Sequence, residues 1–244
     1  MNNKKKAIIA GAMAAVFSIT ANFALPASTA EAGLGDLLGN TNSVVKLVAG
    51  DPEKRKQKMV KNLSLAAICY AQAAINVSTA LNLDPGQRAQ MEAALTNLKN
   101  NKTDLGSMQR VGESTRIDQQ ELENAARNLM DSGDQAKIDA ANELIRQSKV
   151  ERAAANKYKG AALSDATFIL AGNVAAMSGG SSGDKINAAA SILDAANQAK
   201  AVCDIIGANH KVMKDALAAY EKKNNIAEVN EKKAVKQMKD VGLE

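Results

Sequence analysis

Residues 62–83 read NLSLAAICYAQAAINVSTALNL, 22 positions without Asp, Glu, Lys, Arg or His, closed by Asp84-Pro85. Leu63, Ala67, Tyr70, Ala74, Val77 and Leu81 follow one another at steps of three and four. Leu65, Ile68 and Ile75 make a second apolar stripe roughly opposite. A helix that is apolar on most of its circumference is packed by other helices or lies in lipid. About 20 residues would suffice to cross a bilayer. However, Asn62, Ser64, Gln72, Asn76, Ser78, Thr79 and Asn82 would each need a polar partner there. The stretch therefore predicts the most buried helix of a helical protein.

Its flanks carry start signals. Asp51-Pro52 and Asp84-Pro85 each place a side-chain acceptor before a proline, whose missing N–H costs nothing in a first turn. The first predicts a helix from Pro52 to Leu83, and the second a helix with Met91, Ala94, Leu95 and Leu98 on its inner face. Asn100 to Gly112 reads as loop, with Gly106 and Gly112 as breakers. Ser114 or Thr115 then opens a helix facing inward through Leu122, Ala125, Ala126 and Leu129. Beyond Ser132-Gly133-Asp134, one pattern runs to Met177 through Ile138, Ala141, Leu144, Ile145, Ala155, Ala162 and Ile169, with a kink expected at Gly160. Gly179 to Gly183 reads as a flexible turn, and Asp184 as the cap of a last long helix reaching Asn224 past a break at Gly207.

No segment alternates as a strand does. The fold class is all-α: an elongated bundle of five to six helices over residues 33–226, followed at 227–244 by a polar tail, helical or frayed.

The N-terminus reads as an export leader. Lys4, Lys5 and Lys6 precede an apolar run over Ala7 to Ala24, and Ala30-Glu31-Ala32 supplies small residues for cleavage before Gly33. Residues 1–32 are thus expected to be removed near Ala32, placing a bacterial protein in the periplasm or outside the cell. Of 31 Lys and Arg and 26 Asp and Glu, the leader takes three lysines and one glutamate, leaving an excess of about three cations. That small, interspersed excess excludes a nucleic-acid partner as the expectation. So does the scarcity of aromatic rings, since only Tyr70, Tyr158, Phe168 and Tyr220 follow the leader.

The chemistry-bearing residues are few. A single histidine, His210, removes every site needing two, including the Glu-x-x-His di-iron pattern, where Gly207 holds the Glu position. His210 itself reads as a surface side chain. No G-x-S-x-G or phosphate-binding G-x-x-x-x-G-K-[ST] occurs. No enzyme, metal or cofactor is expected.

Cys69 and Cys203, the only two cysteines, are a disulfide candidate in an oxidising compartment, with two separate buried thiols as the alternative. Lys54, Lys58 and Lys61 share a helix face that suits an anionic lipid surface or an acidic partner, or is simply solvated. The expected function is a non-catalytic envelope protein acting through protein–protein contacts, with another envelope protein or with itself as a homo-oligomer. The alternative is a carrier of an apolar ligand held near Tyr70, Tyr158 and Phe168, which needs an internal cavity of roughly 300 Å³ or more.

Overall fold

The computed structural model describes residues 52–177 and 183–241. The expected export leader, residues 33–51 of the expected bundle and residues 179–182 of the expected turn lie outside the described residues. Seven helices and no strand occur among them: α1 (Pro52–Ala80), α2 (Pro85–Asn100), α3 (Leu105–Ser114), α4 (Gln119–Asp131), α5 (Gln135–Met177), α6 (Gly183–Lys223) and α7 (Glu231–Asp240). The protein is all-α.

Helix ends follow from local chemistry. Asp84, Asp104, Asp118 and Asn230 accept backbone N–H bonds at the starts of α2, α3, α4 and α7. The helices α1 and α6 close in the same way. Asn82 (φ 51°) and Asn225 (φ 53°) turn left-handed, and the next amides, of Leu83 and Ile226, bond back to Ser78 and Glu221 carbonyls at 2.9 Å. Asparagine is the residue besides glycine that tolerates this conformation, and the apolar residue that follows is buried.

Several expectations need correction. The segment expected to be loop holds α3, because Asp104 caps it through the Gly106 and Ser107 amides, so Ser114 ends a helix rather than opening one. Gly112 is a packing glycine: a Cβ there would lie 2.9 Å from Ile205 Cγ2, and its carbonyl accepts from Asn209 Nδ2 at 2.7 Å. Gly160 and Gly207 interrupt neither α5 nor α6. Asp184 falls inside the first turn of α6. Of the two forms expected for the tail, the helical one is found, as α7 with Ala234 and Met238 buried.

These two glycine environments give opposite expected results. Gly112→Ala will cost about 1–2 kcal/mol, since the close approach outweighs the gain in helix propensity. Gly160→Ala, with nothing near its Cβ, will stabilise by about 0.5–1 kcal/mol. Denaturant titration of the two variants checks the sign of each.

By packing, the described chain divides into two compact units. One holds residues up to Met59 with Ser164–Asn197, and the other Val60–Leu163 with Gln198 onward. In the first, Met59, Ala166, Ile169, Ile192 and Ala196 are buried. In the second, the fully buried side chains include Leu63, Tyr70, Met91, Leu98, Met108, Leu122, Ile145, Ile206 and Tyr220. The helix α1 is long and apolar enough to cross a membrane, but most of its apolar window is buried inside the protein.

Candidate functional site

In the larger unit, charge stands where helical register demands apolar side chains. On α5, Lys149, Arg152 and Asn156 continue the stripe of Ala141 and Ile145 at steps of four, three and four. On α6, Glu221 continues Met213 and Leu217. Lys149 and Arg152 are only 8% and 3% exposed. Lys149 Nζ lies 2.7 Å from Glu221 and 3.1 Å from Glu228, and also donates to the Ile226 carbonyl at 3.4 Å. Arg152 donates to the other Glu221 oxygen, and Asn156 to Glu231. Burial alone would lower the Lys149 pKa, but its bonds to Glu221 and Glu228 hold it above the ordinary lysine value.

The cluster borders a pocket of about 470 Å³ whose wall also includes His210 and Lys214. His210 is half-buried rather than a surface side chain. Burial, reinforced by the Arg152, Lys159 and Lys214 cations, pushes its pKa down to about 4. It is therefore neutral at neutral pH.

The opposite neighbour of Arg152 on α5 has a different fate. Glu151, 2% exposed, accepts from Asn76 Nδ2 at 2.8 Å and Gln147 Nε2 at 3.2 Å. Burial raises its pKa to about 7 against those two hydrogen bonds. Glu151 and Gln147 line a cleft of about 860 Å³ with Ile68, Gln72, Met238 and Val241.

The disulfide is not formed: Cys69 and Cys203 are separate buried thiols. Cys69 lies beside Glu151, and Cys203 donates to the Lys159 carbonyl at 3.9 Å. The two thiols thus meet α5 eight positions apart, about 12 Å along its axis, beyond the Cα approach of roughly 4.4–6.8 Å that a bridge needs. Burial pushes both pKa values up to about 12; the Glu151 carboxylate adds to this at Cys69. Neither thiol is activated as a nucleophile.

The remaining candidates do not assemble into one site. Lys54, Lys58 and Lys61 are each exposed on α1. Tyr70 and Tyr158 are buried in the larger unit, and neither borders the pockets above. Phe168 belongs to the smaller unit and is 38% exposed. There the Arg55 guanidinium lies 4.7 Å from the Phe168 ring centroid and 3.7 Å from Asp165. Burial holds the Asp165 carboxyl above its ordinary pKa, only partly opposed by the Arg55 and Lys58 cations.

Lys149, Glu151, Arg152 and Glu221 are not among the candidate residues that the sequence singles out. The available signal was position: charges at core register inside otherwise apolar helical stripes. Among the described residues, no group of three or more His, Cys, Asp or Glu is placed to hold a metal. The molecule defined by these features is an all-α protein with a buried ionic cluster. No protein family, curated protein or solved structure matches the chain.

Proposed function

We propose that this protein is exported across the bacterial inner membrane, sheds residues 1–32, and works without catalysis through protein–protein contact in the cell envelope. The observation that carries the contact reading is the exposed Phe168 ring with Arg55 laid over it and Asp165 holding Arg55 in place. Aromatic and arginine side chains dominate binding energy at protein interfaces, and a prearranged pair loses little freedom when a partner docks. The partner is another envelope protein or a second copy of this chain. A non-catalytic role is supported by the ionisable groups buried in the larger unit. Lys149 and Arg152 are both tied up in ion pairs with Glu221, and both thiols are held protonated.

Export is tested by the mass of protein recovered outside the cytoplasm, which is expected to begin at Gly33. A retained Met1 would remove the export argument. Contact is tested by light scattering of the processed protein, alone and with extract of the envelope. Phe168→Ala and Arg55→Ala are expected each to weaken the complex by tenfold or more, since a central interface side chain contributes about 2 kcal/mol. Unchanged association in both variants would place the interface elsewhere.

A further inference from the structure

The pocket beside Lys149 and Arg152 has an imbalance of charge that the protein does not correct internally. Two buried cations share one buried carboxylate, Glu221. The second acid on Lys149 is Glu228, whose side chain is 92% exposed, so solvent screens that pair heavily. Arg152 Nε is buried without a hydrogen-bond partner, although its side chain is only 4% exposed. An unmet donor on a buried guanidinium is costly, and a further negative charge beside Arg152 on the pocket wall would offset it. Across the same wall burial, reinforced by three neighbouring cations, keeps His210 neutral, so its ring N–H is a donor in a positive field rather than a competing charge.

We propose that this pocket binds a small molecule through its oxyanion, a phosphate or carboxylate group, held by Arg152, His210 and Lys214. The anion takes over from Glu228 as the second counter-charge to Lys149. Glu221 stays in place, because both buried cations already bond to it. Glu231 is tied to Asn156 and Lys222 stands on the same wall, so these two lining residues add no net charge. The volume of about 470 Å³ exceeds what a bare phosphate fills and falls in the ordinary range for small-molecule sites. Phosphate and carboxylate share the geometry that an arginine fork recognises.

His210 is the only histidine in the chain, so its ring resonances report this pocket without ambiguity. The processed full-length protein is titrated by NMR in chloride and in sulfate at matched ionic strength. Sulfate is the probe because its charge is constant over the range. A bound anion favours imidazolium, so the His210 pKa is expected to rise in sulfate by about one unit or more. Inorganic phosphate at neutral pH is expected to move the same resonances saturably. Lys214 is exposed, so Lys214→Gln will fold normally, and it is expected to lose most of the anion-dependent change. Equal pKa values in chloride and sulfate, together with no saturable shift in phosphate, would overturn the proposal. An undiminished response in Lys214→Gln would also overturn it, by placing the anion elsewhere. Vesicles containing phosphatidylglycerol separate the two sources of phosphate chemistry. A response to vesicles but none to inorganic phosphate would assign the site to a lipid headgroup and refute the small-molecule ligand.

Discussion

Replacing Glu221 with alanine will destabilise the protein by about 3–5 kcal/mol, because it leaves Lys149 and Arg152 buried without their shared acid. The loss arises from desolvation rather than from one missing bond, because both cations are at most a tenth exposed. The connection to α7 will weaken as well, since Lys149 also holds Glu228 and the Ile226 carbonyl. The triple replacement Lys149→Met, Arg152→Leu and Glu221→Leu will lose far less than Glu221→Ala alone. Removing all the charges together leaves none uncompensated, and buried ion pairs replaced by apolar side chains are often neutral in stability. Urea unfolding followed by circular dichroism distinguishes the outcomes. If Glu221→Ala shifts stability by less than about 1 kcal/mol, the cluster is open to water and its burial is misjudged.

The second large effect is a pair of opposed pH dependences. Glu151 has a folded pKa of about 7 against an ordinary 4.5, so the folded state binds its proton more tightly. Its contribution is present below about pH 4.5 and is lost as pH rises through 7, a fall of about 3 kcal/mol. His210 has a folded pKa of about 4 against 6.5, so the folded state resists its protonation. Its contribution is present above about pH 6.5 and is lost as pH falls through 4, a change of similar size and opposite slope. Asp165, raised by burial, adds slightly to the Glu151 slope, whereas the lowered Asp104 and Asp134 act at lower pH.

Between roughly pH 4.5 and 6.5 the two large slopes nearly cancel, so wild-type stability is expected to be almost level there. Glu151→Gln will unmask a profile that rises with pH, and will be more stable than wild type at about pH 8 by 2–3 kcal/mol. His210→Asn will unmask a profile that falls as pH rises. Urea midpoints across the range check both, and a Glu151→Gln profile parallel to wild type would contradict the assigned burial of Glu151.

The helices were legible because apolar spacing and proline-preceding acids report local physics, and they recovered α1, α2 and the span of α5. Asp104 caps α3 just as Asp84 caps α2, yet α3 was hidden. Gly106 and Gly112 looked like breakers, and only the close approach of α6 shows what Gly112 is for. The Cys69–Cys203 pairing failed for a related reason. Two cysteines in one chain do not by themselves report which level of α5 each thiol meets. The ionic cluster was hidden because Lys149, Arg152 and Glu221 are 69–72 positions apart in pairs across two helices, and single-helix patterns treat each as a solvated charge. Phe168 was singled out for a ligand pocket, whereas its neighbour is Arg55 at the surface.

The most direct test of the contact reading is in-cell photocrosslinking from position 168. A benzophenone side chain replaces Phe168 in the full-length protein, with the same group at exposed Lys222 as the control. A discrete protein adduct is expected at 168, formed by the species that begins at Gly33, absent at 222 and strongly reduced when Arg55 is also changed to alanine. No protein adduct at 168, or equal adducts at both positions, would contradict it.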